Sequence, residues 1–253
     1  MDADTAFDIL NPDGRFPLLL TCEHASCRVP VAYRNLGLSQ AALGRHIGWD
    51  IGARAVLEAV VRRLDAPAVC SRYSRLLIDC NRTPDDHDLI VSHSDGTPIP
   101  GNQRLSAAER HERITRFYQP YHDAIDATLG KLLARHVRPA LLSLHSFTPA
   151  LRGQAEHERA FDIGVLFDDY RDVAADLGRR LHQAGYRVRH NEPYSGYEGL
   201  IFSARSHGRR HRLVYLELEM NNSLLGQPDS IGRMAEAIGE ACVGLSKWTM
   251  ISS

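Results

Sequence analysis

The sequence predicts a single three-layer α/β/α domain over residues 1–253, with a mostly parallel or mixed central sheet. Three observations lead there. Short apolar runs alternate with longer amphipathic stretches along the chain, the pattern of strands interleaved with covering helices. The first such run, Pro17-Leu-Leu-Leu-Thr-Cys22, is continuously apolar, as a strand covered on both faces should be. A chain of 253 residues can also bury roughly 70–75% of its unfolded surface, enough for a core without disulfides or a partner. No internal repeat, low-complexity tract or interdomain linker interrupts the pattern.

The elements follow in order. After the strand at 17–22, helical spacing of Ile47, Ile51, Ala55, Leu57 and Val61 predicts a helix over Ser39–Leu64, weakened in its first half by Gly44, Gly48 and Gly52. Two short strands are expected at Ala68–Cys70 and Arg75–Asp79. Thr83–Arg104 is rich in Pro, Gly and Asp without sustained period and reads as a long surface loop, of the kind that is usually functional or disordered. Ser106-Ala-Ala-Glu109 is a capping box that opens a helix to about Arg135, which Pro120 should kink or split. A strand at Ala140–Leu144, a Pro- and Gly-containing loop, a strand at Asp162–Phe167, a helix at Tyr170–Ala184 and a strand at Tyr186–Arg189 come next. Leu213–Leu218 is strand-like, and Ser230–Leu245 closes the chain as a helix.

Composition narrows the function. Lys and Arg number 30 against 31 Asp and Glu, a balance that argues against a general nucleic-acid binder. No stretch approaches the roughly 20 apolar residues of a membrane span, and the acidic start MDADTAFDIL lacks the features of a signal peptide. Cys22, Cys27, Cys70, Cys80 and Cys242 are scattered without a CxxC pair, as expected of reduced thiols in a cytoplasmic protein. GxSxG, P-loop, GxGxxG and HExxH motifs are absent.

In open α/β sheets, sites gather at the carboxyl ends of strands. Four strand ends here finish in reactive groups: Glu23-His24, Asp79 with Asn81-Arg82, His145, and Glu217 with Glu219. The two late glutamates differ by two and share one side of their strand. His24 and His145 are natural metal ligands, and a catalytic zinc needs a third protein ligand beside an open position. Asp50, at i+4 from His46 on one expected helical face, is the choice for that ligand. Glu23 is the competitor, and a capping or salt-bridging role for Asp50 is the plain alternative. His207 and His211 sit in Ser206–Arg212, which reads as an exposed basic turn, although His207 is kept as a substrate-side candidate. His87 and His93 in the long loop could reach a substrate only if that loop folds over the site.

The segments CEHAS (22–26), HIGWDIGA (46–53), SRLLIDCNR (74–82), LHSFTP (144–149), NEPYSGYEG (191–199) and LELEMNNSLL (216–225) together resemble the N-formylglutamate amidohydrolase family. The resemblance runs in order through most of the chain. It implies a phosphorylase/hydrolase-like fold similar to that of zinc-dependent exopeptidases. It also implies hydrolysis of the N-acyl amide of an acidic amino acid, a small-molecule substrate rather than nucleic acid or membrane. By comparison with zinc carboxypeptidases and their deacylase relatives, His24 and His145 match the metal histidines and Asn81-Arg82 the pair that holds the substrate carboxylate. Glu219, or Glu217, matches the general base. Those enzymes carry an acid three residues after the first histidine, where this chain has Cys27, so Asp50 or Glu23 must serve instead.

The mechanism implied has a divalent metal, zinc first, on His24, Asp50 and His145, with Glu219 moving the proton. Arg82 would bind both oxygens of a carboxylate, Arg75 would stabilise the oxyanion, and Tyr197 would belong to a lid, or else to a plain turn. Two other readings stand beside it. One is an amidase for another acyl-amino acid or a peptidoglycan fragment; the other is a non-catalytic binder of acidic metabolites on the same fold.

Overall fold

Along the apolar run that starts at Leu18, successive side chains alternate between two buried environments, and this alternation organises the structure. The computed structural model describes residues 5–136, 138–149 and 159–248. Its strands are β1 (Phe7–Leu10), β2 (Leu18–Cys22), β3 (Ala68–Ser71), the short β4 (His93–Ser94) and β5 (Thr97–Pro98), β6 (Ala140–Phe147), β7 (Ile163–Leu166), β8 (Val188–His190) and β9 (Tyr215–Asn221). Its helices are α1 (Gln40–Leu43), α2 (Ala53–Leu64), α3 (Ala107–Arg113), α4 (Gln119–Leu133), α5 (Arg171–Gln183), α6 (Phe202–His211) and α7 (Pro228–Trp248). Seven strands form one mixed sheet in the order β1-β3-β2-β6-β9-β7-β8, with β1 antiparallel to β3 and β7 antiparallel to β9. β2, β3, β6 and β9 run parallel to their common neighbours.

Leu18, Leu20 and Cys22 of β2, Leu142 and Leu144 of β6, and Leu216, Leu218 and Met220 of β9 pack beneath α2, α5 and α7 through Val56, Leu57, Leu177, Leu181 and Ile238. Leu19, Leu141 and Tyr215 face the other way, into a second core with Tyr121, Ile125 and Leu129 of α4 and Ala204 of α6. Each fully buried aliphatic side chain contributes about 1.5–3 kcal/mol, so both layers are held firmly. The expected mixed-sheet α/β/α class is what the chain adopts.

Four expected elements differ in the structure, and two of the differences shape the site. The helix expected over Ser39–Leu64 forms only as α1 and α2, with residues 44–52 in turns. Gly48 and Gly52 explain the break: a Cβ at Gly48 would lie 2.1 Å from the carbonyl oxygen of Leu43, and Gly52 has φ +83° with a Cβ position 2.5 Å from Leu225 Cβ. His46 and Asp50 therefore do not share a helical face. Arg75–Asp79 is not a strand either. Its carbonyls are taken by side chains, Leu76 by Asn102 at 2.7 Å and Leu77 by Arg113 at 3.0 Å, which leaves no ladder to join. The Ser206–Arg212 run is not an exposed turn but the body of α6, with His207 and Gly208 buried.

The remaining difference lies in the long helix. Its capping box is present, but the break falls as a π-helical turn at Ile114–Tyr118, just before Pro120. A wider turn there relieves the clash between the Pro120 ring and the carbonyl four residues back. β1 was not anticipated. Thr83–Arg104 carries the β4–β5 hairpin, which Arg45 fastens through Asp95 at 3.1 Å and Thr97 at 3.1 Å. The loop after β6 lies partly outside the described residues. All five cysteines are free, and among the described residues no helix is long and apolar enough to cross a membrane.

Candidate active site

The α4/α6-facing side of β2, β6 and β9 changes character along the strands. Register pairs Leu19 with Leu141 and Leu141 with Tyr215 at the start, then Thr21 with Ser143 and Ser143 with Glu217, then His145 with Glu219. The apolar beginnings bury into the core, and the same face becomes polar toward the carboxyl ends. Glu23 and His24 follow directly where β2 stops. The 44–52 turns deliver Asp50 to this edge, its backbone N–H donating to the carbonyl of His24 at 3.0 Å.

Three donor atoms converge there. His145 Nδ1 lies 2.8 Å from Asp50 Oδ2 and 3.1 Å from His24 Nδ1, and His24 Nδ1 lies 3.4 Å from Asp50 Oδ2. Tetrahedral ligands at zinc distances of about 2.0–2.1 Å have edges of about 3.3 Å, so the trio has the size of one face of such a site. The far side of each ring meets a buried carboxylate: His24 Nε2 is 2.7 Å from Asp79 Oδ1, and His145 Nε2 is 2.9 Å from Glu23 Oε2. With a proton on each Nε2, both Nδ1 lone pairs point at one spot. Carboxylate partners of this kind orient metal-binding imidazoles. Glu23 is itself anchored by Ser143 Oγ at 2.5 Å and Tyr121 Oη at 2.8 Å.

The electrostatics point the same way. Glu23, Asp50, Asp79, Glu217 and Glu219 are all buried. Arg75 is the one permanent cation within 4 Å of any of them among the described residues, 2.9 Å from Asp79 and 3.6 Å from Asp50. So many buried acids cannot all ionise without a compensating cation. Burial works against the ionised forms of Asp50 and Asp79, yet His24, with His145 or Arg75, holds both carboxyls well below the usual range. Burial also opposes charge on His145, but Glu217, Asp50 and Glu23 outweigh it and favour its protonated form. Burial pushes Glu217 and Glu219 up to about 8.

An inner cavity of about 180 Å³ is bordered by His24, Asp50, His145, Glu217 and Glu219, with Arg75, Asn81, Arg82 and Tyr194. It adjoins an outer cavity of about 360 Å³ walled by His46, Arg82, Phe147, Tyr194 and His93–Asp95 of the hairpin. Oε2 of Glu219 is buried in this region without a hydrogen-bond partner among the described residues. Oε2 of Glu217 instead accepts from Asn81 Nδ2 at 3.2 Å.

His24, Asp50, His145, Glu219, Arg75 and Arg82 thus come together, Asn81 lines the inner cavity with its amide already engaged, and Tyr197 and His207 lie away from both cavities. Asn81 lines the cavity, but its amide donates to Glu217 and to the Leu200 carbonyl while its Oδ1 accepts from the N–H of Ser203, so it has no donor left for a substrate carboxylate. Tyr197 borders neither cavity; it is 57% exposed, accepts from Arg171 and meets the Phe167 ring edge to face. Tyr194, in the same motif, takes the wall position. His207 borders neither cavity, because α6 turns it inward to Asp126 at 2.6 Å and His122 at 2.8 Å. Glu23 sits behind His145 rather than beside Asp50, and His46 faces Asp95 at 3.3 Å. The support of His24 by Asp79 was not anticipated, although Asp79 stood in the same motif as Asn81 and Arg82. The spacing 19, 21, 23 would have put Glu23 on the polar face.

A family model described as N-formylglutamate amidohydrolase matches residues 16–225. N-formylglutamate deformylases of Pseudomonas putida and Pseudomonas aeruginosa are 29% and 28% identical over 143 residues, 53% of this chain. The match spans about half the length of these curated relatives, 52% and 53%. A gene product of Agrobacterium tumefaciens superposes with a TM-score of 0.89 at 31% identity, covering 97% of this chain and 98% of that one. The N-formylglutamate amidohydrolase of Ralstonia eutropha shares the fold, with a TM-score of 0.76 at 21% identity over 97% and 98% of the two chains. With 16–225 matched and the six motifs gathered at one sheet edge, the chain belongs to the N-formylglutamate amidohydrolase family.

Proposed function

We propose that this protein is a metal-dependent amidohydrolase that cleaves the formyl amide of N-formyl-L-glutamate to formate and glutamate. The observation that carries the reading is the convergence of His24 Nδ1, His145 Nδ1 and Asp50 Oδ2 within 3.4 Å, beside the unpartnered carboxylate oxygen of Glu219. These three residues would hold a divalent metal, zinc foremost given two imidazoles and a carboxylate. Such an ion, when bound, supplies Lewis-acid activation of a water molecule and of the acyl carbonyl.

The residues of the chain account for the rest. Glu219 takes the proton from the attacking water and returns it to the leaving amine, which also takes the second proton of that water, so hydrolysis ends with formate, the ammonium form of the amine and the original carboxylate. Its placement in a buried cavity keeps that proton from bulk solvent. Arg82, whose nearest acid is Asp86 at 3.9 Å, takes the substrate carboxylate through its planar fork. Arg75 borders the same cavity and supplies positive charge toward the oxygen that becomes negative. Its ion pair with Asp79 keeps it in place. Asn81 acts from behind, holding Glu217 and the start of α6.

The test is metal content of protein purified without chelator or affinity-tag metal, alongside formate release from N-formyl-L-glutamate. About one zinc per chain with formate release is expected, both lost in His145→Ala. Protein that binds no zinc when it is offered and releases no formate would refute the reading. Release from acetyl- or succinyl-amino acids alone would move the activity to another acyl group.

A further inference from the structure

Arg75 and Arg82 line the two cavities and Arg159 lies against their Tyr194 wall, and the three guanidinium groups differ in what neutralises them. Arg75 is drawn onto Asp79 and Asp50. Arg82 has Asp86 at 3.9 Å. Arg159 has no acidic partner among the described residues. Its Nη1 donates to the carbonyl of Thr148 at 3.3 Å, and its guanidinium carbon lies 5.3 Å from the ring centre of Tyr194 and 5.8 Å from that of Phe147. Tyr194 borders both cavities and Phe147 the outer one.

The backbone of Arg159 is fastened on both sides, its N–H donating to the Pro149 carbonyl and its carbonyl accepting from Phe161 N–H, each at 2.9 Å. The Tyr194 ring it lies against is wall to both cavities and the Phe147 ring to the outer one, which sets the guanidinium beside the place where the two cavities adjoin. A guanidinium held by ring faces keeps the donors along its edge for another partner. Neither ring nor carbonyl balances its charge.

We infer that Arg159 is a specificity-determining residue: while Arg82 takes one carboxylate of the substrate, Arg159 takes the second, so that dicarboxylic acyl-amino acids are selected over monocarboxylic ones. The inference rests on the reading of the cavity as an acyl-amino-acid site and names what selects the side chain there. A neutral side chain leaves a partly buried cation without a counter-charge, and the site discriminates against it for that reason.

L-Glutamate and L-glutamine differ at the side-chain carboxylate alone, and calorimetric titration of the full chain with each reads the preference without turnover. The parent protein should bind glutamate about 10–100-fold more tightly, the worth of one charge-assisted pair. Arg159→Gln should bring the ratio near one, and Arg159→Lys should restore part of it. Equal or undetectable binding of both by the parent, or an unchanged ratio in Arg159→Gln, overturns the inference. Formate release separates this from the proposed activity. Release without a side-chain preference leaves the hydrolase reading standing and removes Arg159, whereas a preference lost in Arg159→Gln without any release does the reverse.

Discussion

Nδ1 of His24 and Nδ1 of His145 stand 3.1 Å apart, while their Nε2 atoms are held on opposite sides by different buried carboxylates, Asp79 and Glu23. Two imidazoles cannot bring bare lone pairs so close without a proton or cation between them. The carboxylates behind the rings fix that arrangement, and their contribution can be measured. Glu23→Gln keeps the volume but offers His145 a weaker partner and sets an amide against the hydroxyls of Ser143 and Tyr121. Zinc affinity should fall about 10–100-fold. Competition against a chromogenic chelator, with a melting curve to confirm folding, checks this. Unchanged affinity would mean that Glu23 merely fills the core.

Glu217 and Glu219 are neighbours on one face, but Oε2 of Glu217 accepts from Asn81, whereas Oε2 of Glu219 is buried without a hydrogen-bond partner among the described residues. Glu219→Gln should therefore lower kcat by about 10²–10⁴-fold while zinc content stays near that of the parent. Its melting temperature should hold or rise, because a buried acid whose charged form is disfavoured has been made neutral. Glu217→Gln should cost less in kcat. The reverse ranking would make Glu217 the proton carrier.

The site was more legible in the sequence than the path that builds it. His24, Asp50, His145, Glu219 and Arg82 could be picked out because polar residues at the ends of apolar runs are costly and therefore conspicuous. The strand parity of Glu217 and Glu219 needed no structure. What failed were inferences from local periodicity. Ile47, Ile51 and Ala55 have helical spacing, but three glycines at four-residue intervals let the chain turn instead, and Asp50 reaches His24 and His145 from that turn. Arg75–Asp79 looks like a strand, yet its carbonyls are capped by Asn102 and Arg113 from distant segments. Asn81, Tyr197 and His207 had the right chemistry, but long-range partners that no local pattern encodes fixed their orientation. His207 and His211 illustrate this well: their i, i+4 spacing is real, and it serves to grip Asp126 at 2.6 and 2.9 Å.

Gly52 links the turn to stability. Its φ of +83° is strained for any other residue, and an added Cβ would stand 2.5 Å from Leu225 Cβ. Gly52→Ala should destabilise the protein by about 2–4 kcal/mol, combining backbone strain with overpacking. Asp50 lies two residues earlier, so zinc affinity should weaken as well. Urea denaturation and chelator competition on the same preparation read both effects. A neutral result would mean that the turn adjusts independently of Leu225.

Arg82 and its neighbours test the substrate end. Arg82→Lys exchanges a bidentate fork for a point charge, so KM for N-formyl-L-glutamate should rise about tenfold with kcat nearly unchanged. Initial rates over a range of substrate concentrations give the two constants separately. A fall in kcat at constant KM would instead put Arg82 near the reacting carbonyl.

His122 supplies a pH dependence that lies away from His24 and His145. It is buried between α4 and α6, with Nδ1 2.8 Å from His207 Nε2 and its ring against Tyr118 and Phe202. Burial, with His207 beside it, pushes it down to about 3, against about 6.5 in an unfolded chain. Between those values the unfolded chain holds a proton that the folded chain rejects. This contribution to stability is therefore complete above pH 6.5 and shrinks as pH falls through that window. By pH 5 the loss amounts to about 2 kcal/mol, or about 4–8 °C in Tm for a chain of this size. His122→Asn keeps an amide for His207 and does not titrate, so its Tm should vary less than the parent's between pH 7 and 5. Since both proteins carry the same site histidines, the difference in slope reports His122. Identical slopes would show that His122 takes up its proton in the folded state as readily as in the unfolded one.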